Sequence, residues 1–262
     1  MTKIPIYQVD AFTSRLFGGN PAAVCPLTEW LPDAVMQSIA AENNLSETAF
    51  FVTVSPGKFH LRWFTPEFEI DLCGHATLSS AYVIFKHLHP ELEAASFETK
   101  SGELVVTKAE SGRMSMNFPS RPPEPGAVDS RLRQALGGNS GPMLVSRDYL
   151  VVYETEEEVR ALKPDFNALA KLDRMVIVTA PGRNVDFVSR FFAPAAGVNE
   201  DPVTGSAHCT LIPYWAARLG QTKLHALQVS KRGGELWCEL HGDRVTMAGY
   251  AAEYLRGVVE VE

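Results

Sequence analysis

The chain is short of cysteine, of basic residues and of long apolar runs, and each shortage excludes something. Its four cysteines, Cys25, Cys73, Cys209 and Cys238, form no CxxC pair, and no histidine cluster has zinc-finger spacing. Four thiols in 262 residues do not imply a disulfide framework, so free thiols in a reducing compartment are the simpler expectation. Lys and Arg number 24 against 31 Asp and Glu, a net charge of −7. That balance argues against nucleic acid or an anionic membrane as partner, because both need clustered Lys and Arg. The longest apolar helical stretches, near 76–85 and 207–219, are too short and too polar to span a bilayer. The opening MTKIPIYQVDAF lacks an apolar core of signal-peptide length and alternates like a strand. The stretch FGGNPAAV lacks the GxGxxG spacing of a dinucleotide site. A cytoplasmic protein is expected.

What is present suits a globular chain. Hydrophobic residues make up 45%, enough for one large domain or two lobes. Strands are expected at 4–11, in ETAFFVTV and in KFHLRWF, with a Gly-Asn-Pro turn in FGGNPAAV and a helix over 32–42. A helix over 75–88 precedes a three-stranded meander with turns at Ser101-Gly102 and Ser111-Gly112. PSRPPEPG, residues 119–126, carries four prolines in eight residues and marks a lobe boundary, with lobes 1–118 and 127–262. The last strands can return to the first lobe.

The second half repeats the theme. Strands are expected near 142–146, 149–154, 174–180 and 185–193, and Thr155 with Glu158 forms a capping box. A helix over 205–219 precedes the strands LHALQVSK, ELWCEL, RVTMAG and AEYLRGVVEV. Each half thus has strands, one late apolar helix and a meander, which points to a duplication of about 130 residues. Both late helices are apolar nearly all round, so each should be enclosed by sheet. The fold class is α+β, and the helix mouths are expected to meet at a cleft.

The two helix mouths share a design. FTPEFEIDLCGHATL and NEDPVTGSAHCTL each run from an acidic loop through a Gly into the helix. A helix N-terminus offers unpaired N–H groups and partial positive charge. Gly74 and Gly205 leave the approach open, and His75 and Ser206 add donors, which together suit a substrate carboxylate. A plainer reading is that Ser206 and Asp201 cap one helix and Gly74 makes the turn before the other. Glu47, in NNLSETAFF, stands between a helix end and an apolar strand, where a half-buried carboxylate can act as general acid or base. It can also be an exposed strand-end residue. Asp71 and Asp201 read as ordinary loop acids.

YQVDAFTSRLFGGNPAAVC, NLSETAFF, RWFTPEFEIDLCGHATL and RFFAPAAGVNEDPVTGSAHCTLIPYW cover most of the chain in order. In these motifs the chain resembles the phenazine biosynthesis-like (PhzF) family, related in fold to diaminopimelate epimerase. The resemblance implies two pseudo-symmetric lobes, each a mostly antiparallel sheet wrapped around a central helix, with the active site between them. It also implies a cofactor-free isomerase without a metal, often a homodimer. The substrate in the best-understood branch is a dihydro-hydroxyanthranilate, whose proton moves along a conjugated ring carboxylate. By resemblance Glu47 shuttles the proton, His75 and Asp201 complete the catalytic set, and Gly74, Gly205 and Ser206 bind substrate.

Three rivals are weighed. A two-cysteine epimerase or racemase needs a thiol at each mouth. Cys73 could serve at the first, but Cys209 lies about one turn inside the second helix. A Cys73–His75 dyad is disfavoured because residues two apart at a helix start do not readily face each other. A non-catalytic interaction protein on this fold is the third.

Overall fold

The computed structural model describes residues 1–138 and 141–261. In chain order the first elements are β1 (Thr2–Ala11), β2 (Asn20–Leu27), α1 (Asp33–Asn43), β3 (Glu47–Ser55), β4 (Lys58–Phe64) and β5 (Glu69–Ile70). Next come α2 (Gly74–Val83), which continues as one π-helical turn over Ile84–Leu88, and β6 (Ala94–Thr99), β7 (Gly102–Lys108) and β8 (Met114–Pro119). Then follow α3 (Ser130–Ala135), β9 (Met143–Val145), β10 (Tyr149–Val152), α4 (Glu156–Ala161), α5 (Phe166–Leu169), β11 (Val176–Pro181), β12 (Phe187–Ala193) and β13 (Val198–Asp201). The chain closes with α6 (Gly205–Leu219), β14 (Lys223–Gln228), β15 (Gly234–His241), β16 (Arg244–Gly249) and β17 (Ala251–Val261).

Two compact units result. The first holds residues 1–117 and the C-terminal residues from Ala248; the second holds Phe118–Met247. In the first unit β1 lies antiparallel to β17 along its whole length and to β2 over its second half, Tyr7 to Ala11. From β2 the sheet runs parallel to β3, antiparallel to β4, parallel to β6 and antiparallel to β7, with β5 a short flap on β4. The second unit repeats this order: β9 antiparallel to β10, then β10 parallel to β11, antiparallel to β12, parallel to β14 and antiparallel to β15. There β13 is the flap on β12. The two units are therefore topological copies, each with its apolar helix following the flap strand.

Each helix is enclosed, as its all-round apolarity requires. In α2, His75 to Ala81 and Val83 are buried against β1, β2, β3, β7 and β17. In α6, Trp215 stacks on Phe187 with ring centroids 5.7 Å apart, and its indole Nε1 donates to Thr179 Oγ1 at 3.0 Å. A fully buried aromatic of this kind contributes roughly 2–3 kcal/mol. Thr155 and Glu158 form the capping box that opens α4.

Three local features differ from the sequence expectation. FGGNPAAV is not a turn through Asn-Pro. The tight residue is Gly19 (φ +62°), where a Cβ would fall 2.1 Å from the Ala11 carbonyl, and Asn20 already begins β2. Pro21 and Pro26 sit within that strand. Pro213 lies inside α6, and having no N–H it leaves the Cys209 carbonyl free of its helical bond. The Arg121 N–H of the proline-rich stretch donates to that carbonyl at 2.8 Å, so the stretch is strapped to α6 within the second unit. The short elements β5, β13, α3 and α5 carry too few residues for a periodicity to show.

Candidate active site

In the first unit, parallel strands β2 and β3 begin at the same end of the sheet, in a register that pairs Ala22 with Glu47. Asn44, left-handed at φ 49°, ends α1 and turns the chain into β3, which places Glu47 at its first position. Cys73 is the N-cap of α2 and Gly74 its first residue. These starts bring Asn20, Glu47, Cys73 and His75 together. Glu47 Oε2 stands 2.9 Å from His75 Nε2, with side-chain exposures of 15% and 6%. Asn20 Nδ2 lies 3.2 Å from His75 Nδ1, and Asn20 is wholly buried. An amide N–H can only donate, so in the neutral ring Nδ1 accepts and the ring proton sits on Nε2, the nitrogen nearer Glu47 though not aligned with it.

The Cys73 sulfur lies 3.5 Å from His75 Nδ1 and 3.9 Å from Nε2. The expectation that the two do not face each other is thus overturned. It applied spacing rules that hold inside a helix, whereas Cys73 is extended (φ −144°, ψ 110°) and precedes the first helical residue. Burial, then the nearby Glu47 charge, pushes the Cys73 thiol up to about 11, although His75 and the Ala76 amide act the other way. Burial alone would lower the His75 pKa, but its contacts with Cys73 and Glu47 outweigh it and the value is raised.

In the second unit, Asp201 ends β13, and Gly205 and Ser206 open α6. Asp201 Oδ2 accepts a short hydrogen bond from Thr204 Oγ1. Gln228, buried at the end of β14, secures the turn: its Oε1 accepts from Thr204 N at 2.9 Å, and its Nε2 donates to the Asp201 carbonyl at 2.8 Å. The N-cap of α6 is Thr204, and it makes no side-chain cap bond. Neither Ser206 nor Asp201 caps the helix in the plain sense. Cys73 likewise makes no side-chain cap at α2. Cys209 points its thiol back to the Gly205 carbonyl, so it offers no sulfur at the mouth. Asp71 is exposed, its carbonyl accepting from Ser101.

The duplication extends to side chains. Arg62 on β4 grips Glu69 on β5 with two bonds of 2.8 and 2.9 Å, and Arg190 on β12 grips Glu200 on β13 with bonds of 2.7 and 2.9 Å. Each guanidinium also covers a phenylalanine two residues on, Phe64 at 5.1 Å and Phe192 at 5.0 Å. Bidentate Arg–carboxylate pairs are the geometrically specific ones. Each fork fixes the flap strand that leads into a helix mouth. Glu200 is therefore an anchor, and its neighbour Asp201, tied to Thr204, is the functional candidate. The helix back-bonds match too: Thr77 Oγ1 donates to the Cys73 carbonyl, and His208 Nδ1 to the Thr204 carbonyl. The copies differ where Glu47 begins β3, since β11 begins with Val176.

Sequence reasoning missed Asn20, Gln228 and the two forks. Asn20 was hidden because its strand read as a turn. The fork partners are seven and ten residues apart, and only the flap geometry joins them.

The family described as phenazine biosynthesis-like protein has a model that matches residues 9–257. An uncharacterised isomerase of Pseudomonas aeruginosa is 51% identical over 260 residues, covering 99% of this chain and 100% of that protein. A crystal structure of a PhzF-family phenazine biosynthesis protein from Enterococcus faecalis superposes with a TM-score of 0.96 at 50% identity, covering 99% of this chain and 100% of that one. A hydroxyproline epimerase from Agrobacterium vitis, 10% identical, superposes at 0.60 over 99% of this chain and 91% of its own, a likeness of fold alone. Among the described residues no helix is long and apolar enough to cross a membrane.

Proposed function

The chain belongs to the phenazine biosynthesis-like protein family, and from that premise we propose that it is an isomerase that moves a proton between carbons of a small carboxylic acid, with Glu47 as the shuttle. The observation that carries this reading is the Glu47 carboxylate 2.9 Å from a buried His75 at the uncapped mouth of α2. The Glu47 carboxylate takes a proton from a carbon conjugated to the substrate carboxylate. The C–H electron pair moves into the conjugated system, the double bond shifts, and the same group returns the proton to a different carbon. No external oxidant or reductant is needed.

Electrostatics supply the rest. Developing negative charge on the substrate carboxylate is met by the N–H groups of Gly74 and His75 at the mouth of α2; Gly205 and Ser206 offer donors of the same kind at the mouth of α6. His75, held by Asn20, orients Glu47, and Asp201, held through Thr204 and Gln228, is the acid of the α6 mouth. A dihydro-hydroxyanthranilate-like ring acid has the required conjugation. A cysteine-dependent epimerase is disfavoured because α6 presents no thiol at its mouth.

Proton NMR of candidate acids in deuterium oxide tests the reading. The protein should exchange a carbon-bound proton of a conjugated acid and leave its amide untouched. Equal handling of acid and amide removes the reason for the helix-mouth donors, and an inert protein across all acids favours the non-catalytic alternative.

A further inference from the structure

Glu47 Oε2 raises a question that proton transfer leaves open. It is shielded from solvent and has no hydrogen-bond partner, because His75 Nε2, though 2.9 Å away, lies off the hydrogen-bond axis. A buried carboxylate oxygen in that condition calls for a cationic or hydrogen-bonding occupant. The groups around it are not random. An imidazole nitrogen, a thiol sulfur and a carboxylate oxygen, from His75, Cys73 and Glu47, all lie within 4.8 Å of one another.

We propose that Glu47, Cys73 and His75 form a binding site for a thiophilic divalent cation, with Zn2+ as the type, and that an ion bound there stops proton transfer. The second half of that statement rests on the function proposed above. Nitrogen, sulfur and oxygen donors together suit a borderline-soft ion and not Mg2+ or Ca2+, which take oxygen. Tetrahedral zinc with bonds of about 2.0–2.3 Å sets its donors about 3.3–3.6 Å apart. The separations here are 2.9 Å for Glu47 Oε2 to His75 Nε2 and 3.9 Å for Cys73 Sγ to His75 Nε2. The Cys73 sulfur and the Glu47 carboxylate lie within 4.8 Å, so side-chain shifts of up to about an ångström bring all three onto one ion.

The surroundings fit as well. A metal on Nε2 leaves the ring proton on Nδ1, and Asn20 can turn its carbonyl to accept it, the outer partner that ligating histidines usually have. Three protein ligands leave a fourth position for water or a carboxylate. The ion would occupy the carboxylate oxygen that must otherwise take the proton. The thiol thereby gains a role that one-carboxyl proton transfer does not give it.

Cobalt serves as the spectroscopic probe. Co2+ titrated into the full-length protein should saturate at one equivalent, with a sulfur-to-metal charge-transfer band in the near ultraviolet, and Zn2+ should abolish the band. Cys73→Ser should lose the band, and His75→Gln and Glu47→Gln should each weaken binding about tenfold or more. No saturable binding overturns the proposal. So does a band that persists in Cys73→Ser, since it would place the metal on Cys25, Cys209 or Cys238. X-ray absorption at the zinc edge of the wild-type protein requires no variant: one sulfur with nitrogen and oxygen neighbours is expected, and a shell without sulfur refutes the site. These readouts need no substrate, so the metal site and the proposed isomerase activity fail separately.

Discussion

His208→Gln should flatten the acid side of the stability profile. His208 is wholly buried in the first turns of α6, with its ring tilted against Phe187 at 6.0 Å. Its Nδ1–H donates to the Thr204 carbonyl at 2.8 Å, which leaves Nε2 buried and without a partner. Protonation would put charge on that nitrogen, close to the positive end of the helix. Burial accordingly lowers the pKa to about 4, with the Thr204 bond acting weakly in the other direction. The unfolded chain takes up the same proton near 6.5. Above that pH neither state is protonated and the full stability is present. As pH falls from about 6.5 to about 4, only the unfolded state binds the proton, and stability drops by about 1.4 kcal/mol per pH unit, roughly 3 kcal/mol in all. Gln can keep an N–H directed at Thr204 but cannot titrate. Urea unfolding of wild type and variant from pH 7.5 to 4.5, followed by tryptophan fluorescence, isolates the effect, because other acid-sensitive groups cancel in the difference. The gap between the two stabilities should close by about 3 kcal/mol as pH falls. Parallel curves would refute the reasoning and would mean that the buried Nε2 finds a partner on protonation.

Two further substitutions test how the helix mouths are held. Arg190→Met removes the fork on Glu200 and should cost about 2 kcal/mol in urea unfolding, the range for hydrogen bonds to charged groups, and raise KM through the displaced Asp201; unchanged stability and KM would show the fork to be idle. Gly19→Ala puts a Cβ 2.1 Å from the Ala11 carbonyl at a left-handed residue, so a loss of about 1–3 kcal/mol is expected in thermal unfolding, with lower activity because Asn20 follows directly.

Much of this fold can be read locally. The bounds of α6 follow from Gly205 and Gly220, the latter left-handed at φ 67° and bonded back to Ala216. Thr155 and Glu158 announce α4 because their bonds span three residues. What escaped was either masked by a local rule or built at long range. Asn-Pro signals a turn, yet Gly18-Gly19 had already turned the chain, so β2 and the partner of His75 went unseen. The Cys73–His75 contact depends on one extended N-cap residue. Gln228 reaches Asp201 across 27 positions, and β17 returns to β1 across nearly the whole chain. Glu47, His75, Asp201, Gly74, Gly205 and Ser206 could be named from motifs. Their geometry could not, because it is set by strand starts that pair only in three dimensions.

The most direct test of the central claim is solvent-deuterium exchange with Glu47→Gln, followed by proton NMR on an acid that the wild type exchanges. Gln keeps the size and polarity of the side chain but has no carboxylate to accept a proton. The account predicts that the variant binds the acid with near wild-type affinity and loses incorporation at the reacting carbon by a thousandfold or more, about 4 kcal/mol in activation free energy. Exchange at close to the wild-type rate would contradict it and pass the proton to Asp201 or to the thiol of Cys73.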